Sequence, residues 1–346
     1  SNAAILPLAG SATRLIDAGG RRVIPGLNDS HLHLIRGGRY YATELRWDGV
    51  ATLAEALRRV AEQARRTPPG EWVRVVGGFS PFQFAERRLP TPEELTAAAP
   101  DTPVFVLHLY SGGIYNRKAL EVLGITAATP APAGGRFESA PDGRPTGRLL
   151  AEPNPTILYQ AVGRLGDLPL AERILSTRHF YRELNRFGLT SAIDAGGGGH
   201  RFPDDYLPTR ELARTGDLPL RIAYYLFAQK PGTEVEDYTG WIANYTIDTD
   251  TAEGLPRGYV LGGAGENLAW SAGDFENFRA PRPDISANPG WDRDLDAVVT
   301  RLVRARWPIR IHATYDESIN HILDVFATVD ARERAAGRPG FAGLRW

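Results

Sequence analysis

The chain has no cysteine and no methionine, and of its 40 basic residues only Lys118 and Lys230 are lysines. Without cysteine there are neither disulfides nor thiolate ligands, so any metal must be held by histidines and carboxylates. Long apolar runs are missing too: none approaches the ~20 residues that a membrane helix needs. The net charge is −1, and no basic stripe suggests a nucleic-acid groove. The bias to arginine fits a GC-rich genome better than a phosphate-binding role. The expected partner is a small-molecule substrate, with neither nucleic acid nor membrane.

The ends carry their own expectations. Ser1-Asn2-Ala3 reads as the scar of a cleaved tag, and no initiator Met follows it. Residues 1–22 are therefore expected to hold that scar and the remnant of an N-terminal β-subdomain inside a longer gene. A cytoplasmic location is the default, with export left open by such a start.

What is present centres on residues 24–33, Ile-Pro-Gly-Leu-Asn-Asp-Ser-His-Leu-His. On a strand, side chains alternate, so His31 and His33 share a face and Leu32 takes the other. Two imidazoles together at a strand end make half of a divalent-metal site. With seven histidines in the chain, about 0.14 such pairs arise by chance, so the triplet needs its context. That context is an apolar start, a Pro-Gly break and a polar Asn-Asp-Ser step.

Residues 23–33 resemble the first barrel strand of the amidohydrolase superfamily, metal-dependent hydrolases built on a (β/α)8 barrel. Residues 35–50 and 311–318 are similar to amidohydrolase family 3, the branch of N-substituted formamide deformylase-like proteins. The resemblance runs from about residue 15 to residue 346. It implies an α/β fold of the TIM-barrel type, with residues 23–34 as barrel strand one and an α+β insertion over 35–169. Barrel strands two to five with their helices then occupy residues 170–346.

The pattern along the chain agrees with an early interruption. Thr52-Leu53-Ala54-Glu55 and Thr91-Pro92-Glu93-Glu94 open helices. Residues 72–76 and 104–109 read as strands, and Asp142-Gly143 as a hairpin turn. A helix from about Leu170 ends near Gly188. Strands follow at residues 189–195, 221–227, 259–268 and 308–313. Helices carry Leu295, Val298, Val299 and Leu302, then Ile319, Ile322, Leu323 and Phe326, at helical spacing. A sixth strand would begin near residue 341. A closed barrel needs eight, so the barrel is expected to be incomplete within the chain.

The resemblance also implies a ligand set: the His pair of strand one, a carboxylate from strand four, single histidines on strands five and six, and an Asp on strand eight. His312 matches the strand-five ligand. Neither lysine lies where many relatives carry a carboxylated one. Glu266, in a Gly-rich turn, reads equally as a bridging ligand or a structural residue. The strand-six His and the strand-eight Asp, normally the general base, have no candidate. The cofactor implied is a divalent metal, zinc by preference, as one or two ions in the complete protein. This chain alone is expected to hold it weakly or not at all.

Candidate substrate contacts are Trp47, Asp194 and His200. Residues 196–199, four glycines, read as a strand-end turn and not a phosphate cradle, since no Gly-Lys-Ser/Thr follows. Asp316 and Glu317 suit a helix N-terminus. The leading activity is metal-assisted hydrolysis of a C–N bond, with isomerase or decarboxylase chemistry also open. The competing expectation is a truncated, non-catalytic fragment that self-associates as a homodimer or pairs with a separate C-terminal segment through its open edge.

Overall fold

The computed structural model describes residues 2–109, 111–152, 155–247, 258–274, 288 and 290–346. The first strand, β1, is Leu27–Leu32. It starts later than the sequence suggests: Val23 and Ile24 are exposed. Pro25 has no N–H to give a ladder, and the Leu27 amide makes the first bond, to the Gly188 carbonyl at 2.9 Å.

Two sheets organise the described residues. The second in sequence contains β2 (Val73–Val75), β3 (Val104–His108), β4 (Gly112–Tyr115), β5 (Gly135–Ser139) and β6 (Pro145–Ala151). Their order is β2-β3-β4-β6-β5, with only β2 and β3 parallel. The Leu53–Ala64 and Pro92–Ala98 helices cover it. Thr91 and Glu94 form a full capping box there. Thr52 caps its helix as well, accepting from the Glu55 amide, but the Glu55 carboxylate turns to Arg58 and Arg59.

The other sheet is wholly parallel, in the order β1-β7-β8-β9, with β7 at Leu189–Asp194, β8 at Arg221–Leu226 and β9 at Tyr259–Ala264. The Leu170–Arg186 helix feeds β7, and the Leu207–Arg214 helix joins β7 to β8. Residues 308–312 continue the sheet beyond β9: Arg310 donates to the Ala264 carbonyl and His312 to the Glu266 carbonyl. Regular pairing shrinks to one bridge, Ala264 with Ile309, so the expected strand over 308–313 is an irregular edge. The proposed start of a sixth strand is a turn whose Arg345 carbonyl accepts from the Ile309 amide.

This sheet is strongly curved. Neighbouring strands lie ~4.8 Å apart, so a flat sheet would hold β1 about 19 Å from residues 308–312. Yet Arg310 Nη1 donates to the Ser30 carbonyl at 2.8 Å. That contact requires the two ends to curl toward each other.

Packing behind the curved sheet comes from the Gly290–Arg304 and Asp316–Ala335 helices. Leu295, Val298, Val299 and Leu302 are buried as their spacing predicts. The last helix corrects its expected stripe. Ile322, Val325, Phe326 and Val329 face the core, while Ile319 and Leu323 are over 40 % exposed at 43 % and 42 %. The same i, i+3, i+4, i+7 rule holds from a start three residues later. No helix among the described residues is long and apolar enough to cross a membrane.

Candidate metal centre

Strand β1 ends at Leu32, and the chain turns into the short Leu34–Gly38 helix at His33. The two imidazoles meet edge to face, with ring centroids 5.4 Å apart. Leu32 instead packs among the apolar side chains around Tyr181 and Ala192. Strand alternation thus sends Leu32 away from His31, and the turn at His33 brings the second imidazole back beside the first.

Glu266 reaches them from the far edge of the sheet, just past β9. Its Oε2 lies 3.1 Å from His31 Nε2, and its Oε1 3.3 Å from His33 Nε2. Donor atoms of His31, His33 and Glu266 all fall within 4.8 Å of one another. His312 stands beside this trio and donates from Nδ1 to Glu266 Oε2 at 3.4 Å. Glu266, ambiguous in sequence, is therefore the carboxylate on which three histidines converge.

Electrostatics separate the histidines. Burial, assisted by the charge of Arg36, lowers His33 to about 4, so it is neutral near pH 7. Its Nδ1 donates to the Gly196 carbonyl at 3.0 Å, which leaves Nε2 as a bare acceptor. His31 is raised, chiefly by its hydrogen bond to Glu266. Burial pushes the Glu266 carboxyl up, but hydrogen bonds from His31 and His312 outweigh it and hold the group well below the usual carboxylate range.

The glycine run explains how the parts come so close. Gly196 and Gly197 have φ of +78° and +86°, the left-handed region that glycine enters without steric cost. A Cβ on Gly197 would sit 2.7 Å from Glu266 Oε1. The run is a strand-end turn pressed onto the site.

The three candidate substrate contacts have different surroundings. Asp194 is fully buried, and its oxygens accept from the Ile35 amide at 2.8 Å and the Gly196 amide at 2.9 Å. It braces the site from behind, and burial lifts its carboxyl to about 6. Trp47 is enclosed in the core beside the second sheet, against Phe79 and Phe84. An indole with no exposed surface contacts no substrate, which corrects its expected role. His200 is packed against Tyr206 and Phe227, shares a hydrogen bond with the Tyr206 hydroxyl, and is lowered to about 3 by burial. Its ring is a core element next to the site.

Sequence reasoning misses Asp274, whose buried carboxylate accepts from the Thr314 and Tyr315 amides and holds the turn after His312. Arg36 is missed too, though its position three residues after His33 puts it on the first turn beyond the pair. Two cavities flank the cluster. One of 580 Å³ is lined by His31, Glu266, Tyr225 and Arg310. A smaller one of 280 Å³ opens beside His33 and Arg36.

Donors that converge from separate strand ends of a parallel sheet define an α/β protein whose site lies where such folds bind ligands. The chain belongs to the amidohydrolase family, amidohydrolase family 3, whose sequence profile matches residues 14–345. It is 37 % identical over 138 residues to an N-substituted formamide deformylase of Arthrobacter pascens, covering 39 % of this chain and 25 % of that protein. The YtcJ protein of Bacillus subtilis (strain 168) is 31 % identical over 320 residues, covering 90 % of this chain and 56 % of YtcJ. The chain thus spans a quarter to about half of the length of these relatives. In fold it is similar to an uncharacterized metal-dependent hydrolase from Pyrococcus horikoshii, with a TM-score of 0.54 at 18 % identity over 88 % of this chain and 56 % of that one.

Proposed function

We propose that this chain carries the metal-gathering part of a (β/α)8-barrel hydrolase that cleaves the C–N bond of an amide or formamide. In this reading the curved parallel sheet is barrel wall, incomplete within the chain, and residues 35–169 are an insertion after its first strand. The His33–Glu266 pair carries the proposal. His33 uses its one N–H on Gly196, so Nε2 and Glu266 Oε1 face each other at 3.3 Å as two acceptors. A cation held between them reconciles that geometry.

Two imidazoles and a carboxylate suit Zn²⁺ with a position left open for substrate. The chemistry such an ion supplies is Lewis acidity, polarising a carbonyl and lowering the pKa of water. His31, His33 and Glu266 would hold it. His312, bonded to the same carboxylate, steadies Glu266. Asp194 keeps the His33 turn in place. The deformylase among the relatives supports a formamide as the bond attacked, with a small molecule as substrate.

Calorimetric titration of the chain with Zn²⁺ tests this. One weakly held ion per chain is expected, with Glu266→Gln weakening binding at least ~10-fold, and the complete protein should release formate from N-benzylformamide only when metal is supplied. Absence of binding, or equal binding by Glu266→Gln, would overturn the reading.

A further inference from the structure

The 280 Å³ cavity lies between the Leu34–Gly38 helix, the Leu170–Arg186 helix and the second sheet, and His33 forms part of its wall. Ligand pockets for whole drug-sized molecules run ~300–1,000 Å³, so this one has room for a single ring or branched arm. Val76, Leu107, Leu109, Val162 and Phe180 supply an apolar lining.

Three arginines also line it, and their pairing differs. Arg39 is matched by Asp167 and Asp205. Arg46 is matched by Asp48 and Glu44. Arg36 lies within ion-pair distance of no carboxylate among the described residues. Its guanidinium donates from Nη1 to the Gly198 carbonyl at 3.0 Å and lies 4.4 Å from the centre of the Tyr159 ring. Those two contacts fix its plane and leave the rest of the donor fork to the cavity. A planar guanidinium held this way is preorganised to bind a carboxylate through two parallel N–H bonds.

We propose that this cavity takes the nitrogen-side arm of the substrate, an arm with a carboxylate bound by Arg36 and a ring-sized apolar group in the adjoining lining. The inference rests on the amide-hydrolase reading and narrows it to carboxylate-bearing amides. The shared wall at His33 joins this pocket to the donor cluster, so an amide whose arm is anchored here presents its scissile bond toward the imidazoles. A neutral arm would leave Arg36 desolvated without a counter-charge, which disfavours it.

N-formylphenylalanine and N-(2-phenylethyl)formamide differ only by the carboxylate and make a matched pair of probes. Their binding to the full chain, free of metal and supplied with Zn²⁺, is to be measured by calorimetry. The acid is expected to bind at least ~10-fold more tightly than the neutral amide in both states, and less so at high salt. Arg36→Gln should abolish the preference and Arg36→Lys should reduce it, while Arg293→Gln on the exposed helix surface should keep it. Equal binding of the two probes by the unmodified chain would overturn the proposal, as would a preference undiminished in folded Arg36→Gln. If Arg36→Gln fails to fold by circular dichroism, Arg36→Lys decides, because an unchanged preference there removes the need for the fork. Binding is read without turnover, so failure of the complete protein to hydrolyse either probe counts against the hydrolase reading and leaves this result standing.

Discussion

Asp194 grips the Ile35 amide at 2.8 Å with one oxygen and the Gly196 amide at 2.9 Å with the other. One buried side chain thereby fixes both the turn after His33 and the loop whose carbonyl orients that imidazole. Asp194→Ala would strand two buried N–H groups, each costing ~1–3 kcal/mol. Urea unfolding should register a loss of about 2–6 kcal/mol, and Zn²⁺ affinity should fall with it. A variant matching the parent in both measurements would remove the brace from the account.

Gly197→Ala separates backbone strain from site crowding. A left-handed L-residue costs roughly 1–2 kcal/mol wherever it sits. At Gly197 the added methyl also meets Glu266 Oε1, whereas at Gly70, with φ of +85°, it meets nothing within 4 Å. Both variants should lose similar stability in thermal melts, but only Gly197→Ala should weaken Zn²⁺ binding. Equal affinity in the two would mean that Glu266 yields without consequence.

Trp47→Ala should be costly and local. Removing a large buried aromatic typically costs ~3–5 kcal/mol, and Trp47 anchors the core of the second sheet. Chemical denaturation should show that loss, with the metal affinity of the folded protein unchanged. A drop in affinity without a drop in stability would restore Trp47 to the site.

Glu44 supplies a pH signature. Burial lifts its carboxyl to about 7, with Arg46 and Arg74 pulling it part of the way back. A folded pKa above the unfolded one means stability that is full below about 4.5 and lost as pH rises through 7. Glu44→Gln lacks that loss. From pH 4 to pH 8 the unfolding free energy of the variant should therefore gain on the parent by up to about 3 kcal/mol. A difference between the two that is flat with pH would rule this out.

How much of this is legible in sequence depends on how local the cause is. The His31–His33 pair, the Thr91–Glu94 box and the turn at Asp142-Gly143 are written in spacings of two to four residues, and the corresponding elements form. Strand β4 is hidden because its Gly112-Gly113 start has no β-propensity to read. The neighbouring helix is capped by Asn116, whose side chain takes the Ala119 amide, a signal present but easily passed over. Glu266 and Asp274 draw their roles from partners 40 or more residues away, and Asp194 ties its neighbour Gly196 to Ile35, 159 residues away. No window along the chain contains both halves of such a contact. Trp47 shows the converse: an aromatic in a family-like segment whose surroundings, once folded, are entirely core.

The curl of the parallel sheet has a consequence of its own. His31 and His33 stand on one edge, Glu266 and His312 on the other, and Arg310 reaches Ser30 across the same gap. Anything that binds donors from both edges favours the tightly bent sheet over a flatter one, by its difference in affinity for the two. Reciprocally, a substitution far from the histidines that relaxes the bend would loosen whatever they hold. An ion held by this cluster would thus be a gauge of sheet curvature, its affinity following strain in the parallel sheet.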